Sequence, residues 1–385
     1  MIEYFNKFRI VNVKLIFIVS LLFIITGMVM GCSNNQFSQP NVGSSHNPIK
    51  KEEPGVSFFG EELMPITEVE GSFSEVAGWL TDDTILYITN LHKGSNLYTY
   101  HLSSGVSSLF YQSDVPVVSA DISPLRDKVF IHAAPTSYQA EVIVVDINGE
   151  TLSQAKIDSF ELAYEWNFEN EEEVLLSAFN EDWSFNTYVL NIPKSSLTEV
   201  PLPEPFIVWP KAKEMLYLKW DENGLNLNAP LIKRNLENKK EATLMNSVHH
   251  IDSSKEYILA ISTSEQDSKE SIYSIMNTDF EKISEFEVYH LTAFSSWLVP
   301  FYDFIDREEK IIYLHPVRSG EADLYDEGFV LTEYSFETKK GKQLLNDLEN
   351  EPISCSPNGT LCLYGYQFEK LIDLKEKEII NLVEQ

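Results

Sequence analysis

The sequence predicts an all-β chain folded as a β-propeller of four-stranded blades. Two alternating series of short anchors and a set of continuous apolar strands between them predict it. In the first series a large residue precedes a polar turn that leads into an apolar strand. It reads Trp79 before residues 85–88, Ile122 before 129–131, Trp166 before 174–176 and Trp209 before 215–218. It continues with Ile251 before 257–259, Phe304 before 311–314 and Cys355 before 361–364. The spacings are 43, 44, 43, 42, 53 and 51 residues, close to the period of a propeller blade. The second series places a polar residue and then an apolar one before a turn: His101-Leu102, Asp146-Ile147, Asn191-Ile192, Asn235-Leu236, Asn277-Thr278, Ser335-Phe336 and Asp373-Leu374. Each series has seven members, and the two alternate throughout. The count is therefore seven blades.

Each unit holds a short strand into the first anchor, an apolar strand after it, a third strand ending at the second anchor, and a fourth before the next unit. The second strands are apolar throughout, as strands covered on both faces are. The third strands, such as 96–100, mix aromatic and polar residues, which suggests a position nearer a sheet edge. One four-stranded sheet cannot bury its own faces, whereas neighbours stacked about an axis can. Residues 58–69 lie outside the count and read either as an extra outer strand or as an aid to closure.

The amino terminus carries a different message. Lys7, Arg9 and Lys14 precede an apolar run over 15–30 that only Ser20, Thr26 and Gly27 interrupt. A positive segment followed by a short apolar one is the layout of a secretory signal. Its end, Val29-Met30-Gly31-Cys32, resembles the lipobox of bacterial lipoproteins, with Met30 in place of the more usual small residue. That resemblance implies cleavage before Cys32, a diacylglyceryl group on its thiol, and residence on the extracytoplasmic face of the cell membrane. Anchoring by more than one acyl chain is stable because each buried methylene contributes about 0.8 kcal/mol. The expected organisation is a signal peptide over 1–31, a lipidated tether over 32–54 and a propeller over 55–385. The tether is rich in Ser, Asn, Gln and Pro, cannot bury a core, and reaches roughly 25 Å as a flexible chain.

Three bases and one acid lie in residues 1–31, so the remainder keeps 26 Lys+Arg against 58 Asp+Glu, a formal charge of −32. A domain this acidic is repelled by phosphate backbones, which argues against nucleic acid as a partner. Cys355 and Cys362 flank a turn-forming Ser-Pro-Asn-Gly segment and read either as a disulfide across a hairpin or as two small buried residues.

Catalytic and metal motifs are absent from the sequence. There is no His-Glu-x-x-His, no Gly-x-Ser-x-Gly and no phosphate-cradling glycine loop. His249 and His250 adjoin a strand, where neighbours face opposite ways, so both are not expected on one metal. Asp221-Glu222-Asn223-Gly224 lacks the spacing of a calcium loop and reads as a turn. No motif supports a calcium ion in the channel, and no cofactor is expected. The acidic run 169–173 reads as a solvated turn, and Trp79, Trp166 and Trp209 as packing between blades. Paired carboxylates could lie across the channel, but 58 acids leave no way to choose among them.

The sixth unit is longer than the others, with its excess at 289–303 and 315–328. In an up-and-down blade both segments emerge on one face of the disc. They carry Trp297, Tyr302, Arg318 and Tyr325, and the equivalent connection of the third unit carries Trp183. Together these form the expected binding face, since long loops on a rigid scaffold are where function concentrates.

The anchors resemble the Ser-Pro-Asp-Gly and Asp-Leu-x-Thr-Gly turns of TolB-like propellers, most nearly at Ser356-Pro357-Asn358-Gly359. The whole layout is similar to the YqgU-like lipoproteins of Gram-positive bacteria. That resemblance implies six blades, against seven by the repeat count, and carries over no catalytic residues. The first functional reading is a membrane-tethered, non-enzymatic module that binds an envelope protein or a glycan. The second is a surface hydrolase or lyase using acids at the channel, and the third a structural spacer in an envelope complex.

Overall fold

The structure is a computed structural model that describes residues 57–58, 61–67, 70–221, 226–263, 269–293 and 296–383. The signal segment, Cys32, the tether and most of the 221–224 turn lie outside the described residues.

The described residues contain seven four-stranded antiparallel sheets, each with its strands adjacent in chain order. Sheet 1 comprises Ser72–Trp79, Thr84–Asn90, Ser95–His101 and Val106–Ser113. The first strands of sheets 2 to 7 are Val117–Ile122, Glu161–Trp166, Val208–Lys211, His250–Ser253, Tyr302–Ile305 and Ile353–Cys355. This is the all-β architecture of a multi-bladed propeller.

Alternation along the second strands explains the stacking. Leu86 and Ile88 enter an apolar cluster shared with sheet 2, while Ile85 and Tyr87 enter one shared with sheet 7. The same odd–even split recurs at Val174/Leu176 against Leu175, and at Ile311/Tyr313 against Ile312/Leu314. Seven such clusters link successive sheets, and the last joins sheet 7 back to sheet 1. The buried apolar side chains of these second strands thus meet a neighbouring sheet, and burying each Ile, Leu or Val contributes about 1.5–3 kcal/mol. Trp79, Trp166 and Trp209 are buried in three of these clusters.

The second anchors shape the turn between the third and fourth strands. In each sheet a residue with positive φ follows the anchor: Gly105, Gly149, Ser195, Lys239, Phe280, Lys339 and Lys377. The anchor side chain ties that turn. Asp146 Oδ1 accepts the backbone N–H groups of Asn148 and Glu150 at 2.8 and 2.9 Å, and Asn277 Oδ1 accepts those of Asp279 and Glu281. Gly149 is forced by contact as well, since a Cβ there would lie 2.0 Å from the Phe110 carbonyl oxygen.

Two expectations change. The third strands are interior: Gln139–Asp146 is buried along nearly all its length, and the largely exposed fourth strands form an edge of each sheet. The 169–173 turn is not simply solvated. Glu171 is buried, its Oε2 accepts the Leu125 N–H of sheet 2 at 3.0 Å, and Glu169 Oε2 accepts the Ala212 N–H of sheet 4 at 2.8 Å. In a ring of blades, turns on one face pack sideways against their neighbours.

Closure draws on the segment before sheet 1. Leu63 and Ile66 enter the cluster between sheets 7 and 1. The Met64 N–H donates to Leu102 O at 3.2 Å, the Ile66 N–H to Leu382 O at 2.7 Å, and Ile66 bridges Val383 in parallel. Trp79 adds an indole N–H bond to Ser354 O at 2.8 Å. In sheet 7, Cys355 and Cys362 stand directly opposite in register and are joined as a disulfide.

Candidate functional site

First strands of neighbouring sheets contact one another and surround a central channel. Where the anchor residue of a first strand points into the inter-sheet core, its neighbour points to the axis. Asp121, Glu165 and Asp303 each stand one residue before an anchor (Ile122, Trp166, Phe304), and Asp252 stands one after Ile251. These four carboxyls, with Asp306 from the following turn, line a cavity of about 510 Å³. Arg126 and Lys255 are the bases on its wall.

Each acid also reaches the next sheet. Asp121 Oδ2 accepts the Trp166 indole N–H at 2.8 Å, and Glu165 Oε1 accepts the Trp209 N–H at 3.3 Å. Asp252 Oδ2 accepts the Tyr302 hydroxyl at 2.8 Å, and Asp303 Oδ2 accepts the Cys355 N–H at 2.5 Å. Because Tyr302 spends its one proton on Asp252, its oxygen accepts from His250 Nε2 at 2.6 Å, giving a His250–Tyr302–Asp252 chain in the wall.

Electrostatics follow from burial. Loss of water raises Asp303 to about 7 and Asp121 to about 6. It also holds Glu165 well above the carboxylate range, with the charges of Asp252 and Asp121 adding to the effect. Burial raises Asp252 and Asp306 too, and it lowers His250 to about 4. Arg126 is pulled down by burial, with Asp303 the largest opposing influence, and donates through Nε to Trp79 O at 3.2 Å. Burial thus keeps protons on these carboxyls to a higher pH than in water.

A second cavity of about 200 Å³ shares Tyr164, Glu165 and Asp252 with the first. The larger cavity opens among turns between first and second strands (Pro124, Arg126, Phe168, Lys255). The smaller is bordered by Pro205 and Phe206, on the opposite face. Among the described residues no group of three or more His, Cys, Asp or Glu side chains is arranged to hold a metal ion.

The expected binding face divides. The two insertions of the sixth unit meet in a small sheet, where Leu291–Ala293 pairs with Ser296–Leu298 on one side and Gly320–Glu321 on the other. Trp297 lies between His249 and His290, with ring centroids 4.9 and 5.4 Å away. Arg318 is exposed, pairs with Glu327 at 3.0 Å and lies 5.6 Å from the Tyr325 ring. The Tyr325 hydroxyl braces its own loop by accepting the Val317 N–H and donating to Gly328 O, both at 3.0 Å. Trp183 shares that face but stands in sheet 3, and Tyr302 is in the channel wall. Sequence reasoning missed the channel acids; their adjacency to the first anchors is the signal that marks them.

A family model described as a YqgU-like 6-bladed beta propeller domain matches residues 81–365. The chain belongs to the YqgU-like β-propeller family. The match takes in sheets 2 to 6 whole, the last three strands of sheet 1 and the first two of sheet 7. Similarity extends to the uncharacterized lipoprotein YqgU of Bacillus subtilis (strain 168), 26% identical over 84% of this chain and 87% of that one. Among solved structures, the uncharacterized protein lmo1340 of Listeria monocytogenes EGD-e superposes with a TM-score of 0.77 at 18% identity, covering 84% of this YqgU-like chain and 98% of its own. An oligogalacturonate lyase of Vibrio parahaemolyticus shares the fold at a TM-score of 0.54 and 10% identity, covering 78% and 89%.

Proposed function

We propose that this YqgU-like protein is a lipid-tethered, extracytoplasmic binding protein that takes a compact cationic ligand, an organic amine or guanidinium, in its acidic channel. The observation that carries this reading is the convergence of five carboxyls on one cavity whose wall offers only Arg126 and Lys255 as counter-charge. A cavity of about 510 Å³ suits a small organic molecule. An ammonium entering it meets carboxylates already held in place by the neighbouring sheets, so little ordering cost remains. Anions are repelled by the same wall. The tether reading rests on Cys32 in its lipobox and is supported by the lipoprotein naming of the Bacillus subtilis relative. Seven blades is the reading that the seven sheets and their seven linking clusters support, against the six of the family description.

Thermal shift and calorimetry with a monoamine, a diamine, a triamine, an arginine ester, calcium and a dicarboxylate test the proposal. Multivalent amines should raise the unfolding midpoint by mass action, and the effect should vanish in Asp252→Asn/Asp303→Asn. No shift with any amine, or a shift that persists in that variant, sinks the reading. The carboxyls raised to about 6 and 7 favour a second reading, a hydrolase or lyase with Asp121 or Asp303 as proton donor. Turnover of a glycan or lactone panel, lost in Asp303→Asn, would select it.

A further inference from the structure

The face opposite the larger channel mouth carries the exposed aromatic rings. In an up-and-down sheet, connections between second and third strands and from each fourth strand to the next sheet share one face. Among the described residues every exposed aromatic side chain lies at these connections. Four of them form two adjoining groups over sheets 2 to 4, joined through the backbone, and together make a ridge. Tyr138 meets Phe160 with ring centroids 6.3 Å apart, and the Phe160 N–H donates to Phe179 O at 2.8 Å. The Phe179 ring, itself buried, contacts Trp183 at 5.9 Å and Phe206 at 5.7 Å. Trp183 and Phe206 are 64% and 71% exposed.

Trp183 is presented against a backbone cost. Its φ is +65°, a conformation that Gly94 adopts in the corresponding connection of sheet 1 and that bulky residues avoid. The turn is held by Asn180 and Asp182. Asn180 Nδ2 donates to Ser184 Oγ at 2.9 Å, and Asp182 Oδ1 accepts the Ser184 N–H at 3.0 Å. These bonds hold the turn that carries the exposed Trp183 ring.

Charge selects the occupant. The connecting segments 134–140, 157–163, 179–186 and 200–208 contain Asp158, Glu161, Glu181, Asp182 and Glu204 and neither Lys nor Arg. Lys156, the base just before the second of them, faces Glu141 at 3.6 Å. Ring faces bordered by carboxylates are complementary to guanidinium and ammonium groups, which stack on the ring and pair with the rim. A second copy of this face would set acids against acids, and a neutral glycan would gain nothing from the charge of the rim.

We propose that this ridge docks an arginine- or lysine-rich polypeptide segment of an envelope partner, at a site separate from the channel. The test titrates the full-length protein with an (Arg-Gly)6 peptide at low and high salt, with an N-acetylglucosamine hexamer in parallel. Trp183→Gly/Phe206→Ala keeps every charge and relieves the backbone at 183, so attraction by the overall charge is unchanged and folding is checked by an unchanged melting curve. Peptide affinity should fall at least tenfold in this variant and stay unaltered in Asp252→Asn/Asp303→Asn, which reports on the channel alone. Equal affinity in the ridge variant, no peptide binding at all, or binding of the glycan in place of the peptide overturns the proposal. Should Phe206→Ala disturb the neighbouring sheet, Trp183→Gly alone should still weaken the peptide several-fold.

Discussion

The Asp121 carboxylate of sheet 2 accepts the indole N–H of Trp166 in sheet 3 at 2.8 Å, and so an acid of the channel wall also fastens two sheets together. Asp303 does the same for sheets 6 and 7 through Cys355. Any change at these residues is therefore read in stability as well as in ligand binding.

Trp166→Phe keeps most of the buried ring but removes the donor. The Asp121 carboxylate then loses a partner in a desolvated place, and the expected cost is about 1–3 kcal/mol. Urea denaturation measures it, and an unchanged midpoint would show that the bond contributes nothing net.

Stability should fall as pH rises through neutrality. Asp121 and Asp303 titrate at about 6 and 7 when folded, above the ordinary carboxylate value near 3.9. A raised folded pKa means that the protonated form favours the native state. The contribution is complete below about pH 4 and is lost through pH 6 to 7. Turn acids such as Asp83 and Asp127, lowered overall by side-chain hydrogen bonds and nearby bases despite some burial, act oppositely and only below about pH 4. Burial lowers His250, His132 and His315 from the ordinary imidazole value, and they act oppositely below about pH 6.5. The check is therefore the difference between proteins: Asp121→Asn/Asp303→Asn should lose less of its melting midpoint between pH 5 and pH 8 than the unaltered protein does.

The seam between sheets 7 and 1 should be as costly to disturb as any other. Leu363 is fully buried there, and Leu363→Ala is expected to cost about 2–5 kcal/mol in chemical denaturation.

Reducing the Cys355–Cys362 bond reopens a short loop, seven residues apart in sequence. The expected loss is about 2 kcal/mol, seen as a lower melting midpoint with reductant that Cys355→Ser/Cys362→Ser reproduces without it.

Cys32→Ala should abolish incorporation of an alkyne-bearing fatty acid and leave an uncleaved precursor, both visible by mass spectrometry. Retained labelling would place the acyl group elsewhere.

The sheet boundaries were legible because two physical requirements repeat. A second strand covered on both faces must be apolar throughout, and the third-to-fourth turn needs a polar side chain to tie it, as Asp146 and Asn277 do. The channel acids were not legible as a group. A carboxylate is chosen for a channel by which way one residue of a short strand faces, and Asp121 looks in sequence like any surface acid beside an apolar residue. Tyr302 shows the converse. Its neighbours Phe301 and Trp297 suggested a loop, but antiparallel pairing with Tyr313 turns it inward to Asp252. Glu171 failed for another reason: its partner, the Leu125 N–H, belongs to a different sheet and is 46 residues away in sequence.

The segment carrying Met64 and Ile66 links sheet 1 to sheet 7 and precedes the first strand of sheet 1 in sequence. Were the chain tethered at Cys32 as proposed, a pull on the tether would pass through this segment before reaching sheet 1. The Met64–Leu102 and Ile66–Leu382 bonds would share that load with the Trp79–Ser354 bond and the apolar cluster between the two sheets. The residues that join the first and last sheets would then also be the first to bear that strain.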